Sequence, residues 1–174
     1  MTSTDQPLGE VLHDGDRIGL RYVRRLAHPP AKVWRALTES ENLRQWMPVD
    51  IVGERRAGAD VDVPFWPDVA AKYEIEDTVL PGRILAWEPE RVFEWRWDTD
   101  ILRFELEPTG DGTTLTFVAW LIGDQPEGTE GTAAGYHVCL AQLTALLDTG
   151  SAPPFVDADP GPIQALYREA SQTT

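Results

Sequence analysis

The 174 residues, 19.4 kDa, are the size of one domain, because two halves would each be too small to bury an adequate core. With 42% hydrophobic and 25% charged residues the chain is globular rather than disordered. Lys and Arg number 15 against 29 Asp and Glu, a formal charge of −14 that repels phosphate backbones and anionic lipid, so neither nucleic acid nor a membrane is expected as a partner. The single cysteine, Cys139, cannot close an internal disulfide or build a thiolate zinc site and reads as a small buried hydrophobe. No apolar run approaches the roughly 18 residues of a membrane span, and the first residues carry neither a basic nor an apolar leader. A cytoplasmic location is expected.

In chain order, residues 1–16 are polar, hold Pro7, Gly9 and Gly15, and read as a flexible N-terminal arm. Ile18, Leu20 and Tyr22 then alternate with Gly19, Arg21 and Val23, a strand that His28-Pro29-Pro30 stops. The prolines suit the first turn of a helix, and Val33, Trp34 and Leu37 share one side of it. Thr38 and Glu41 have the spacing of a capping box, predicting a second short helix through Leu43 and Trp46. Pro48 ends it.

From Val49 to Ile122 the pattern is that of an antiparallel meander, with strands expected at 72–80, 83–87, 91–97, 101–107 and 113–122. Phe93, Trp95 and Trp97 oppose Glu94 and Arg96, and Leu102, Phe104 and Leu106 oppose Arg103 and Glu105, so each strand has one buried and one wet face. Pro81-Gly82 and Thr109-Gly110-Asp111-Gly112 read as hairpin turns. After the turn Asp124-Gln125-Pro126-Glu127-Gly128, a stripe of Tyr136, Leu140, Leu143 and Leu147 predicts a long helix over 132–148, with Gly150 as its stop. Residues 151–174 form a proline-rich tail in which Ile163, Leu166 and Tyr167 outline a short helix. Such a stripe is wasteful in water, so the tail is expected to dock on its own domain or on a second copy, giving a homodimer.

A sheet with one apolar face followed by one long amphipathic helix makes an α+β domain over 17–150, and a curved sheet gripping one helix leaves room for a ligand. The opening Arg25-Leu-Ala-His-Pro-Pro-Ala-Lys-Val-Trp-Arg-Ala-Leu-Thr38, followed by Leu43-Arg-Gln-Trp46, resembles the START-like, or SRPBCC, helix-grip superfamily. More narrowly it resembles the domain of the activator of heat-shock protein 90 ATPase and its bacterial relatives. Leu80-Pro-Gly-Arg-Ile-Leu-Ala-Trp-Glu88 resembles the family's Pro-x-x-Leu strand, and Gly135-Tyr136 with Leu140 and Leu143 its Gly-Trp-x-x-x-Leu-x-x-Leu helix, with tyrosine in place of tryptophan. The resemblance covers about residues 18–150 and implies a curved antiparallel sheet wrapped on a long C-terminal helix, with two short helices after the first strand.

The chemistry is sparse. Three histidines without a His-x-x-x-His or Cys-x-x-Cys pattern predict no metal site, the lack of a glycine-rich phosphate loop predicts no nucleotide cofactor, and no serine lies in a Gly-x-Ser-x-Gly elbow. No catalytic residue is assigned and no cofactor is expected. The seven tryptophans are the loudest signal, and most aromatic residues of a curved sheet fill its core. The functional reading places Trp66, Tyr73, Trp95, Trp97, Phe104, Phe117, Tyr136 and Leu140 around a cavity for a flat apolar ligand. His137, about 100° from Tyr136 on the helix, reads either as a satisfied rim residue or as a polar contact in that cavity. Asp77 is the other polar candidate, set among Tyr73, Ile75 and Val79 on the expected strand 72–80, with an edge position as its alternative.

These residues read as a binding protein for a small apolar or aromatic molecule rather than as an enzyme. The resemblance implies two alternatives: a co-chaperone acting on a heat-shock ATPase, which the absence of room for the eukaryotic activators' additional N-terminal domain disfavours, and an enzyme similar to polyketide cyclases or aromatases, for which His137, Asp77, Tyr73 and Tyr136 are the available groups.

Overall fold

The computed structural model describes residues 5–123, 125 and 128–173. In chain order it contains β1 (Glu10–Asp14), β2 (Arg17–Leu26), α1 (Pro30–Thr38), α2 (Ser40–Trp46), β3 (Asp60–Pro64), α3 (Pro67–Lys72), β4 (Val79–Glu88), β5 (Val92–Trp97), β6 (Asp100–Thr109), β7 (Gly112–Leu121), α4 (Gly128–Thr149) and α5 (Gly161–Gln172). The strands form one antiparallel sheet in the order β1-β2-β7-β6-β5-β4-β3. This is the α+β helix-grip architecture, with α1 and α2 after the long first strand of the meander and α4 as the gripped helix. The grip follows from period: Leu102, Phe104 and Leu106 on β6 and Leu115, Phe117 and Ala119 on β7 are buried on one sheet face, and Tyr136, Leu140, Leu143 and Leu147 of α4 are buried against the core. Phe104 and Phe117 stack across β6 and β7 with centroids 4.4 Å apart, and Tyr136 meets Phe117 edge-on at 5.2 Å.

Four local expectations are corrected. Of the arm 1–16, residues 1–4 lie outside the described residues, but 10–14 are not an arm: they pair with β2 from Glu10↔Arg21 to Asp14↔Arg17, because the free edge of β2 satisfies their backbone groups. Thr38 caps nothing; it is the last residue of α1, its Oγ1 donates to the Trp34 carbonyl at 2.8 Å, and α2 starts without a side-chain cap. Residues 72–80 are not one strand. Pro67 opens α3 behind an extended Trp66, and Glu74, at φ 52°, turns the chain out of it. Pro81-Gly82 is no turn but the interior of β4, where a Cβ on Gly82 would come within 2.7 Å of the Arg96 carbonyl and the Val63 side chain. The glycine serves the close approach of β3, β4 and β5.

The hairpin at Gly110-Asp111 is as expected, with Gly110 at φ 58°. Of the turn before α4, residues 124, 126 and 127 lie outside the described residues, and α4 runs longer than the stripe implies, from Gly128 to Thr149. The tail docks on its own domain. Ile163 and Tyr167 of α5 are buried against the core, Leu166 and Phe155 are partly so, and α5 packs on α4.

Candidate ligand site

Beneath the β5–β6 end of the sheet lies a cleft of about 560 Å³, bounded by α4 on one side and by the tail on the other. Its apolar walls come from Phe65 after β3, Val69 of α3, Ile75 and Leu80 around the start of β4, Val138 of α4, and Phe155 with Ala158 and Pro160 of the tail. Its polar wall comes from Asp98, Thr99 and Asp100 at the β5–β6 turn and from Gln125 and Thr132. These are linked: Ile122 N–H donates to Asp100 Oδ1 at 2.9 Å, Gln125 Nε2 lies 3.4 Å from Asp100 Oδ2, and Thr132 Oγ1 donates to Gln125 Oε1 at 2.9 Å. The lining is mostly apolar, with a few converging polar groups.

Of the ten residues read from the sequence, the cleft brings together Tyr73, Trp97 and Tyr136. Trp97 stands at the end of β5, stacked on Trp95 at 6.1 Å and tilted against Phe65 at 5.9 Å, and its indole Nε1 is buried without an acceptor. Tyr136 presents its ring to the cleft, and its hydroxyl has no hydrogen-bond partner among the described residues. Trp95, Phe104, Phe117 and Leu140 share the faces expected of them but are buried in the core, away from the opening. Trp66 stands outside the cleft, donating its indole N–H to the Met47 carbonyl at 2.9 Å beneath the Arg44 guanidinium. Asp77 is exposed in the segment between α3 and β4, so the strand face that was to bury it does not exist. His137 is fully buried on another flank of α4, its Nδ1 3.0 Å from the Tyr167 hydroxyl. It stands neither at a rim nor in the cleft, because Tyr167 of α5 packs against it.

The most informative lining residue that periodicity misses is Gly135. It sits inside α4, where glycine costs about 1 kcal/mol relative to alanine, and a Cβ there would meet nothing within 4 Å. The helix gives up that stability at a position where a side chain would enter the cleft. The tail residues Phe155, Pro160 and Gln164 are also missed, since nothing in their spacing says where the tail returns.

Two groups of the lining hold their protons tightly. Burial pushes the Cys139 thiol up to about 12, and burial, then the Asp100 charge, holds the Tyr136 hydroxyl well above the usual phenol range. Both are protonated at neutral pH, so neither is an activated nucleophile or base. Among the described residues no group of three or more His, Cys, Asp or Glu side chains could hold a metal ion, and no helix is long and apolar enough to cross a membrane. A second concavity, a more open groove of about 680 Å³ beside Trp34 and Trp87, offers less: Arg55 there already donates to the carbonyls of Thr38 and Gly53 and lies 3.4 Å from Ser40 Oγ.

Among solved structures, a conserved protein of unknown function from Enterococcus faecalis is similar over 95% of this chain and 91% of its own, with 23% identity and a TM-score of 0.76. That share exceeds what residues 1–150 alone could supply, so the likeness reaches into the tail. CalU16 from Micromonospora echinospora is similar over 93% of this chain and 90% of its own, with 18% identity and a TM-score of 0.62. The Aha1 dimer from Colwellia psychrerythraea is similar over 76% of this chain and 97% of its own, with 18% identity and a TM-score of 0.60. At these identities the likeness is one of fold, the helix-grip fold of the SRPBCC superfamily. No curated protein matches. The family model described as activator of Hsp90 ATPase homolog 1-like protein matches residues 27–148, from the end of β2 to the last turn of α4. With most of its length inside that match, the chain belongs to the activator of Hsp90 ATPase homolog 1-like family.

Proposed function

We propose that this protein binds a small apolar or aromatic molecule in the cleft between the sheet, α4 and the tail. The observation that carries the reading is the open space over Gly135, in a cleft that Trp97, Tyr136 and Phe65 also line. A core residue would gain from filling that space; a binding site needs it empty. The protonated thiol and phenol favour binding over catalysis, and the single buried thiol suits a reducing cytoplasm.

The test is a titration with the neutral fluorescent probe N-phenyl-1-naphthylamine. Wild type should give saturable enhancement at micromolar affinity, and Gly135→Phe, which projects a ring into the cleft from a helical position free of strain, should abolish it while circular dichroism stays unchanged. No saturable change in wild type overturns the reading.

The family description and the Aha1 neighbour support a second reading, a partner of a heat-shock ATPase, with self-association as in that neighbour. Stimulation of a purified Hsp90-type ATPase by the wild-type chain would favour it, and an unchanged ATPase rate would remove it.

A further inference from the structure

We infer that the cleft selects its ligand by charge, taking an aromatic or apolar amine in its protonated form and rejecting carboxylates. This rests on the reading that the cleft binds a small molecule and adds the class of molecule. Among the described residues that line it, only Asp98 and Asp100 carry charge, and neither forms an ion pair with another described residue. The backbone of Asp98 is set at φ 53° with its N–H donating to the Pro81 carbonyl at 2.8 Å, and the Asp100 carboxylate accepts the Ile122 N–H.

Lys72, which is not among the lining residues, donates its ammonium to the Val156 carbonyl and lies 5.4 Å from the Tyr73 ring centroid. A bound carboxylate would meet two like charges and, among the described residues of the wall, no compensating arginine, lysine or histidine, within a chain of formal charge −14. An ammonium would meet the opposite: two unneutralised carboxylates at one end and aromatic faces, Trp97 and Tyr136, that attract a cation by their quadrupoles. The field of Asp100 reaches the interior wall, since it adds to the burial that keeps the Tyr136 hydroxyl protonated. The rest of the ligand lies against the apolar wall. Fatty acids and aromatic acids, the common anionic apolar metabolites, are excluded by the same arrangement that admits an amine.

The experiment displaces N-phenyl-1-naphthylamine from the wild-type protein at pH 7 with three ligands of one ring system: 2-naphthylmethylamine, 2-naphthylmethanol and 2-naphthoate. The amine should bind about tenfold or more tightly than the naphthoate, with the alcohol between them, and the ratio should shrink in high salt, as expected for carboxylates that water partly screens. In the double variant Asp98→Asn, Asp100→Asn, which keeps an acceptor oxygen for Ile122 and a residue tolerant of positive φ, the ratio of amine to naphthoate affinity should approach one. Equal binding of the three by wild type, or tightest binding of the naphthoate, overturns the charge selection and leaves the binding function standing. If neither the probe nor any of the three binds, the binding function itself fails. The wild-type ratio decides even where the double variant does not fold.

Discussion

The Tyr167 hydroxyl lies 3.0 Å from Nδ1 of His137, joining α5 to a buried flank of α4. The same oxygen accepts the Gly9 N–H at 2.7 Å, so one side chain of the tail ties the N-terminal segment to the long helix. Tyr22 completes the cluster from β2, donating to the Ala133 carbonyl at 2.7 Å. Removing only the oxygen, Tyr167→Phe, leaves the ring packed and the Gly9 N–H without its acceptor, a loss of about 1–3 kcal/mol. The urea midpoint should fall while probe affinity in the cleft stays unchanged, because neither Tyr167 nor His137 lines it. A loss of binding at unchanged stability would place the pair in the site instead.

Arg24 borders this cluster with its guanidinium 5.6 Å from the Tyr22 ring centroid, and its Nε and Nη2 are buried without acceptors. Only Nη1 is used, donating to the Val23 carbonyl at 3.0 Å. Burial pulls the guanidinium pKa down, which means the folded state penalises the charge. Arg24→Met keeps most of the stem volume and removes that penalty, so its melting temperature should equal or exceed wild type. A fall of several degrees would show that the charge has a partner in solution.

Truncation after Gly150 separates the tail from the domain. Burying Ile163 and Tyr167 contributes about 1.5–3 kcal/mol each, so the shortened chain should melt lower. Its molecular mass by light scattering should match that of one chain, as for the full protein if the tail docks only on its own domain. Probe affinity should also fall, since Phe155, Ala158 and Pro160 form one wall of the cleft. A drop in mass on truncation would identify a tail-mediated dimer.

Gly135 gives a two-way test. Gly135→Ala should stabilise the chain by about 0.5–1 kcal/mol, because the helix gains propensity and the new methyl meets nothing within 4 Å. Probe binding should survive alanine and fail with phenylalanine. Destabilisation by alanine would show that the space is not open in solution.

What was legible in the sequence had a period. Leu102, Phe104 and Leu106 alternate on β6, and Tyr136, Leu140, Leu143 and Leu147 recur on α4, so the sheet face and the gripping helix could be read directly. β1 could not, because its order comes from the partner edge of β2 rather than from its own residues. Nor could β4, where Pro81-Gly82 carries the composition of a turn yet answers to strand crossing. The candidate site was legible only at Tyr73, Trp97 and Tyr136, for the same reason. Alternation puts Trp95, Trp97, Phe104 and Phe117 toward the helix, but which of them stay uncovered depends on where α4 and the tail end. Trp97 lies at the sheet end and remains open to the cleft, while the other three are closed over. His137 was undecided on a helical wheel because Tyr167 of α5, which packs against it, follows 30 residues later in the chain.

The buried hydroxyls and thiol make stability fall on the alkaline side. Burial raises Tyr22 and Tyr136 well above the ordinary phenol value, raises Tyr167, and pushes Cys139 up to about 12. In each case the folded chain holds the proton more tightly than the unfolded chain does. Between the unfolded pKa, about 8.5 for a thiol and 10 for a phenol, and the higher folded value, the unfolded state binds fewer protons, so the unfolding free energy decreases as pH rises. The contribution is complete below the unfolded values and is lost progressively above them. Urea midpoints should therefore be level in this respect from pH 7 to 8 and fall from about pH 9, more steeply past 10 as the tyrosines join. Cys139→Ala should lower the whole curve through its lost packing yet flatten the earliest part of the fall, leaving the tyrosine part in place. Midpoints that stay level to pH 11 would contradict the burial of these groups.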